Sequence, residues 1–112
     1  MKAKATVNPG ICGFKAVVKA ECNDGMTVAV HIVRSCETIQ QINQQISQLG
    51  PVNAVMELNP NTESAVLKTA REALVKKGCC EACIVPAATV KAMQVAAGLA
   101  LPKDVAIGIS KE

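Results

Sequence analysis

The sequence reads as an α+β domain, three helices packed on a small, mostly antiparallel sheet built from an N-terminal β-hairpin and a C-terminal strand. Three observations carry this reading. Apolar residues alternate on both sides of an Asp-Gly turn between residues 14 and 32, three stretches space apolar residues three and four apart, and Val105, Ile107 and Ile109 alternate near the end.

In chain order, Phe14, Ala16, Val18 and Ala20 share one face of a first strand, and Met26, Val28, Val30 and Ile32 share one face of a second. Asp24-Gly25 between them supplies the backbone conformations that a tight turn needs. Ile39, Ile42, Ile46 and Leu49 then predict a helix over residues 36–49, with Ser35 as its N-cap and Gly50-Pro51 as its stop. Five glutamines, Gln40, Gln41, Gln44, Gln45 and Gln48, form the opposite, solvated face. Residues 52–58 are short and ambiguous, with a strand as the reading. Asn59-Pro60-Asn61 opens a second helix with Val66, Ala70, Ala73 and Leu74 on one stripe, closing at Lys76-Lys77-Gly78. A third begins at Pro86, runs through Val90, Met93 and Ala97, and ends at Gly98. Residues 99–102 connect it to the last strand.

The 112 residues are 50% hydrophobic and 19% charged, with a mean hydropathy of +0.27, so the chain holds enough apolar surface for one folded core and is read as a single domain over residues 1–112. Phe14 is the only aromatic, which removes base-stacking platforms. The twelve basic residues are scattered, so nucleic acid is not expected as a partner. No apolar run approaches the roughly 20 residues of a membrane span, and residues 1–7 lack the apolar core of a signal peptide. The expected setting is the cytosol, with no membrane partner.

In a reducing compartment, clustered cysteines point to metal or redox chemistry more than to disulfides. Cys12 lies between Gly10 and Gly13, which let backbone fold closely around a sulfur or an ion. Cys36 follows the second hairpin strand at the start of the first helix, where unpaired N–H groups and the positive end of the helix dipole favour a thiolate. Cys80 and Cys83 form a C-x-x-C, a spacing that lets two sulfurs face one point about 2.3 Å away. Cys12 and Cys36 flank the open end of the same hairpin, so a third helix starting beside that end would bring four sulfurs together. The expected ligand set is Cys12, Cys36, Cys80 and Cys83, holding zinc or an iron–sulfur cluster, with Cys79 as the rival of Cys80. Cys22, beside the turn, is left out as packing. Neither standard ferredoxin spacing is present.

Three other readings stand beside this one. Cysteine packs readily as a small hydrophobe, so all six could be core filler. Cys80 and Cys83 could cycle as a redox dithiol or carry sulfur, although a thioredoxin-type motif opens a helix directly and Pro86 starts this one later. The chain could also be an interaction module that self-associates through a sheet edge or through the alanines of its third helix. His31, the only imidazole, reads as a sheet residue and Glu81 as a solvated loop carboxylate. No Ser-His-Asp set, phosphate-binding glycine loop or paired-carboxylate site assembles from this sequence.

The segments Gly10-Ile11-Cys12-Gly13-Phe14, Ser35-Cys36, Cys80-Glu81-Ala82-Cys83-Ile84-Val85-Pro86 and Gly98-Leu99-Ala100-Leu101-Pro102, and with them the whole chain, resemble a family of small uncharacterised prokaryotic cysteine-containing domains of unknown function. The resemblance implies one compact domain in which those cysteine motifs belong together. It implies no activity.

Overall fold

The computed structural model describes residues 1–12, 14–34, 36–77 and 82–112, with the backbone alone at Cys12 and Arg34. Its elements are β1 (Lys2–Val7), a 3-10 turn (Gly10–Cys12), β2 (Ala16–Cys22), β3 (Thr27–Arg34), α1 (Glu37–Leu49), β4 (Val52–Asn53), α2 (Ala54–Leu58), α3 (Ala65–Lys77) and α4 (Val85–Ala96). The sheet is antiparallel throughout, in the order β1-β2-β3-β4. The fold is α+β, with four α-helices among the described residues where three were expected.

The hairpin forms as its alternation requires. Ala16, Val18, Ala20 and Cys22 of β2 are buried, as are Val28 and Ile32 of β3, while Lys19, Glu21, Ala29 and His31 face outward. A bulge between Val17 and Val18 shifts the register, so that Val17 pairs with Arg34 and Val18 with Ile32. Phe14 falls before β2 and is 65% exposed, so the core contains no described aromatic side chain and is built from Val, Ile, Ala, Leu and Met with Cys22.

Asp24 organises the turn. Its Oδ1 accepts from the amides of Thr27 at 2.7 Å and Met26 at 2.9 Å, and Gly25 beside it takes a φ of 75°. The Thr27 amide first, and the Met26 amide after it, lower the Asp24 carboxyl from 3.8 to about 2. A carboxylate with a lowered folded-state pKa stabilises the fold above its unfolded value, and that contribution is lost as pH falls through the folded one. The Asp24→Ala variant should therefore melt below the parent at neutral pH. The gap should close between about pH 4 and pH 2; urea midpoints of both proteins across that range check it, and a gap independent of pH would contradict it.

Two elements depart from the alternation and spacing read in the sequence. Lys2–Val7 forms an edge strand that was not expected, with Ala3, Ala5 and Val7 turned towards the helices and Lys2, Lys4 and Thr6 away from them. Alanine is a poor strand former, and the weak Lys-Ala pattern becomes a strand because β2 offers it a complete edge. Residues 52–58 divide into β4 and α2, with the Asn53 side chain accepting from the Met56 amide at 3.1 Å as N-cap.

The expected C-terminal strand does not form. Residues 101–112 carry neither helix nor strand and are exposed throughout. Alternation marks a segment that could pair, but in this single chain β1 and β4 occupy the edge positions of the sheet and no described strand meets Val105, Ile107 or Ile109.

The helices lie on one face of the sheet. α1 buries Ile39, Ile42 and Ile46 against β3, α4 packs across β1 and β2, and α3 packs on α1 and α4. Buried Asn43 of α1 accepts from the Ile32 amide at 2.7 Å, which satisfies a donor on the side of β3 beyond the short β4. α3 begins at Ala65, later than Asn59-Pro60-Asn61 suggested, because its N-terminus is capped by Glu57 of α2. The carboxylate accepts from the amides of Ala65 at 2.9 Å and Val66 at 3.0 Å and from the Ser64 hydroxyl, while Ser64 Oγ accepts from the Leu67 amide at 3.1 Å.

Candidate thiol site

The sheet has two distinct ends, and their contents decide which cysteines share a neighbourhood. The turn end holds residues 23–26 and Met1, whose carbonyl accepts from the Cys22 amide at 2.9 Å and whose ammonium donates to the Cys22 carbonyl. At the open end Val7 pairs with Ala16, and Val17 with Arg34.

α1 leaves β3 at the open end and returns the chain to the turn end, where Val52 pairs with Val28 and the Ala54 amide donates to the Met26 carbonyl at 2.8 Å. α4 runs in the same sense. Gly98, just past its last turn, sits beside Met1: a β-carbon there would lie 3.9 Å from Met1 Cε. Twelve residues of helix span about 18 Å, close to the roughly 20 Å of β1 and β2 beneath, so Val85 starts α4 at the open end. The positive ends of both helix dipoles therefore lie at the same end of the sheet.

Cys36 is the N-cap residue of α1, with φ −70° and ψ 169°; its side chain makes no cap bond and its carbonyl accepts from the Gln40 amide at 3.0 Å. Cys83 precedes Ile84, the N-cap of α4, whose carbonyl accepts from the Ala88 amide at 3.1 Å. Both cysteines are half-buried and pack against the main core cluster, and neither is in a disulfide. Cys12 ends the 3-10 turn in the loop between β1 and β2, which opens and closes at the open end; its thiol lies outside the described side chains. Cys79, Cys80 and Glu81 lie outside the described residues, as does Ser35, the expected N-cap of α1.

Cys22 sits at the turn end, 2% exposed, with its Sγ 3.6 Å from Asp24 Oδ1. His31 is exposed on the uncovered face of the sheet, opposite Lys19, which in turn pairs with Lys4. Sequence reasoning missed this cross-strand row of basic side chains because it did not recognise β1. Among the described residues, no three His, Cys, Asp or Glu side chains converge as a metal group, and no helix is long and apolar enough to cross a membrane.

Fold and thiol positions together define a small α+β domain with cysteines at the starts of two helices that share one end of the sheet. The chain belongs to the family of unknown function DUF6951, whose model matches residues 3–109. No curated protein and no solved structure gives a significant match.

Proposed function

We propose that this chain is a binding protein that holds zinc or an iron–sulfur cluster through the thiolates of Cys12, Cys36, Cys80 and Cys83. The observation that supports the reading is the common end of the sheet at which α1 and α4 begin, with Cys36 at one start, Cys83 at the other and the Cys12 loop between β1 and β2 at that same end. Four thiolates at such a point would neutralise a divalent ion or ligate a cluster. Two converging helix dipoles would offset part of the excess negative charge. Half-burial of Cys36 and Cys83 against the core would limit access of water to the group.

Anaerobic purification followed by metal and sulfide analysis tests this. Bound metal should be stoichiometric, with a brown chromophore for iron–sulfur or a colourless protein for zinc. Cys36→Ser and Cys83→Ser should each lose most of it, whereas Cys22→Ser at the far end should keep it. A full-length, oxygen-protected protein free of zinc and iron would overturn the reading. If that metal-free protein showed a two-electron transition in a redox-buffer series, the dithiol alternative at Cys80 and Cys83 would replace it.

A further inference from the structure

The sheet treats its two edges differently. Beyond β3, the short β4 pairs with Thr27 and Val28, and Asn43 takes up the Ile32 amide. Beyond β1, no described strand follows. Because Met1 and Cys22 form a hydrogen-bonded pair, the antiparallel alternation makes Ala3–Ala20, Ala5–Val18 and Val7–Ala16 the next such pairs. The backbone N–H and C=O groups of Lys2, Lys4 and Thr6 are then directed outward, an edge ready to accept another strand.

The same chain carries an unused strand. Val105, Ile107 and Ile109 alternate with Ala106 and Gly108 and are 67%, 64% and 92% exposed, apolar area that gains by leaving water. These five alternating residues are one fewer than the six of β1, short enough to pair within its length. With Val105, Ile107 and Ile109 turned to the helical face, they would lie beside Ala3 and Ala5, small residues only half-covered at this margin of the core. The opposite parity then puts Asp104, Ala106 and Gly108 on the outer face with Lys2 and Lys4, one carboxylate and two small residues against two ammonium groups.

We propose that two copies of this chain associate by exchange, residues 105–109 of each adding as a strand to the outer edge of β1 of the other. Within one chain both halves of this pairing stand unsatisfied, although the segment leaves the body near Gly98, beside Met1 and the start of the vacant edge. A second copy presents the identical edge, and reciprocal donation closes as a twofold dimer in which both β1 edges and both donated segments are used. The dimer does not depend on the thiol site, which lies around the opposite end of the sheet.

Light scattering on the full chain across a concentration series should give twice the chain mass. Ile107→Lys should return it to the monomer with its circular dichroism retained. So should Lys4→Pro, which removes an outward-facing amide that β2 does not use. Both variants should keep the metal content of the parent, which separates failure of the dimer from failure of the metal reading. Isotope-filtered NOEs in a mixture of labelled and unlabelled chains should connect residues 105–109 with residues 2–6 between molecules. A monomeric full chain, a dimer that persists in Ile107→Lys, or contacts found only within one chain would each overturn the proposal.

Discussion

Replacing Glu57 with alanine should lower the unfolding free energy by about 2–4 kcal/mol, because one side chain serves three donors at the start of α3. The first-turn amides of a helix have no partner within it. Here the Ala65 and Val66 amides and the Ser64 hydroxyl all donate to a carboxylate buried to 9% exposure. Removing it strands buried donors, which costs more than the bonds gained in forming them. Glu57 also ties α2 to α3, and α3 is the helix that leads the chain back towards residues 78–81. At about 4–8 °C per kcal/mol for a domain of this size, the melting temperature should fall by about 8–32 °C. The Glu57→Gln variant, which keeps one acceptor oxygen, should lose roughly half as much. A calorimetric scan in which Glu57→Ala melts within a degree or two of the parent would show that the cap contributes little.

Truncating Ile32 to alanine should cost about 3–4 kcal/mol, within the range of about 2–5 kcal/mol for deleting a buried branched side chain. Ile32 is 1% exposed in the second half of β3, the strand on which α1 packs its stripe of Ile39, Ile42 and Ile46. A core filled by Val, Ile, Ala, Leu and Met has no large ring to slide into the gap, so little of the cavity should close. For a domain of this length the total is about 6–17 kcal/mol, so the loss is a substantial share of it. The effect should reach the thiols, since α1 is held on β3 by these isoleucines and carries Cys36 at its start. Urea unfolding would read the stability, and thiol-modification rates at Cys36 should rise in the variant. A change below about 1 kcal/mol would mean that the core repacks around the missing atoms.

The hairpin, α1, α3 and α4 were legible because each repeats its own period over several turns or pleats. Val18, Val28 and Ile32 could face only one way, and so could Ile39, Ile42 and Ile46. β1 was not legible, since Lys-Ala alternation carries almost no apolar signal until β2 stands beside it. The division of residues 52–58 into β4 and α2 turned on the Asn53 side chain bonding to Met56, and the start of α3 on Glu57, seven residues before Ser64. For the candidate site, the cysteine types and the helix starts could be read in advance. That α4 begins at the same end as α1 could not, because Gly98 meets Met1 only in three dimensions.

What this sequence determined by itself is local: where alternation or helical spacing runs, where Asp24-Gly25 reverses the chain, and which thiols stand near helix starts. Those features follow from neighbours a few residues apart, whose interactions the chain carries with it in any fold. Tertiary structure alone decided that Lys2–Val7 is a strand and that residues 105–109 within one chain are not. A strand's backbone hydrogen bonds belong to its partner, and the order of the sheet sets which segment meets an edge.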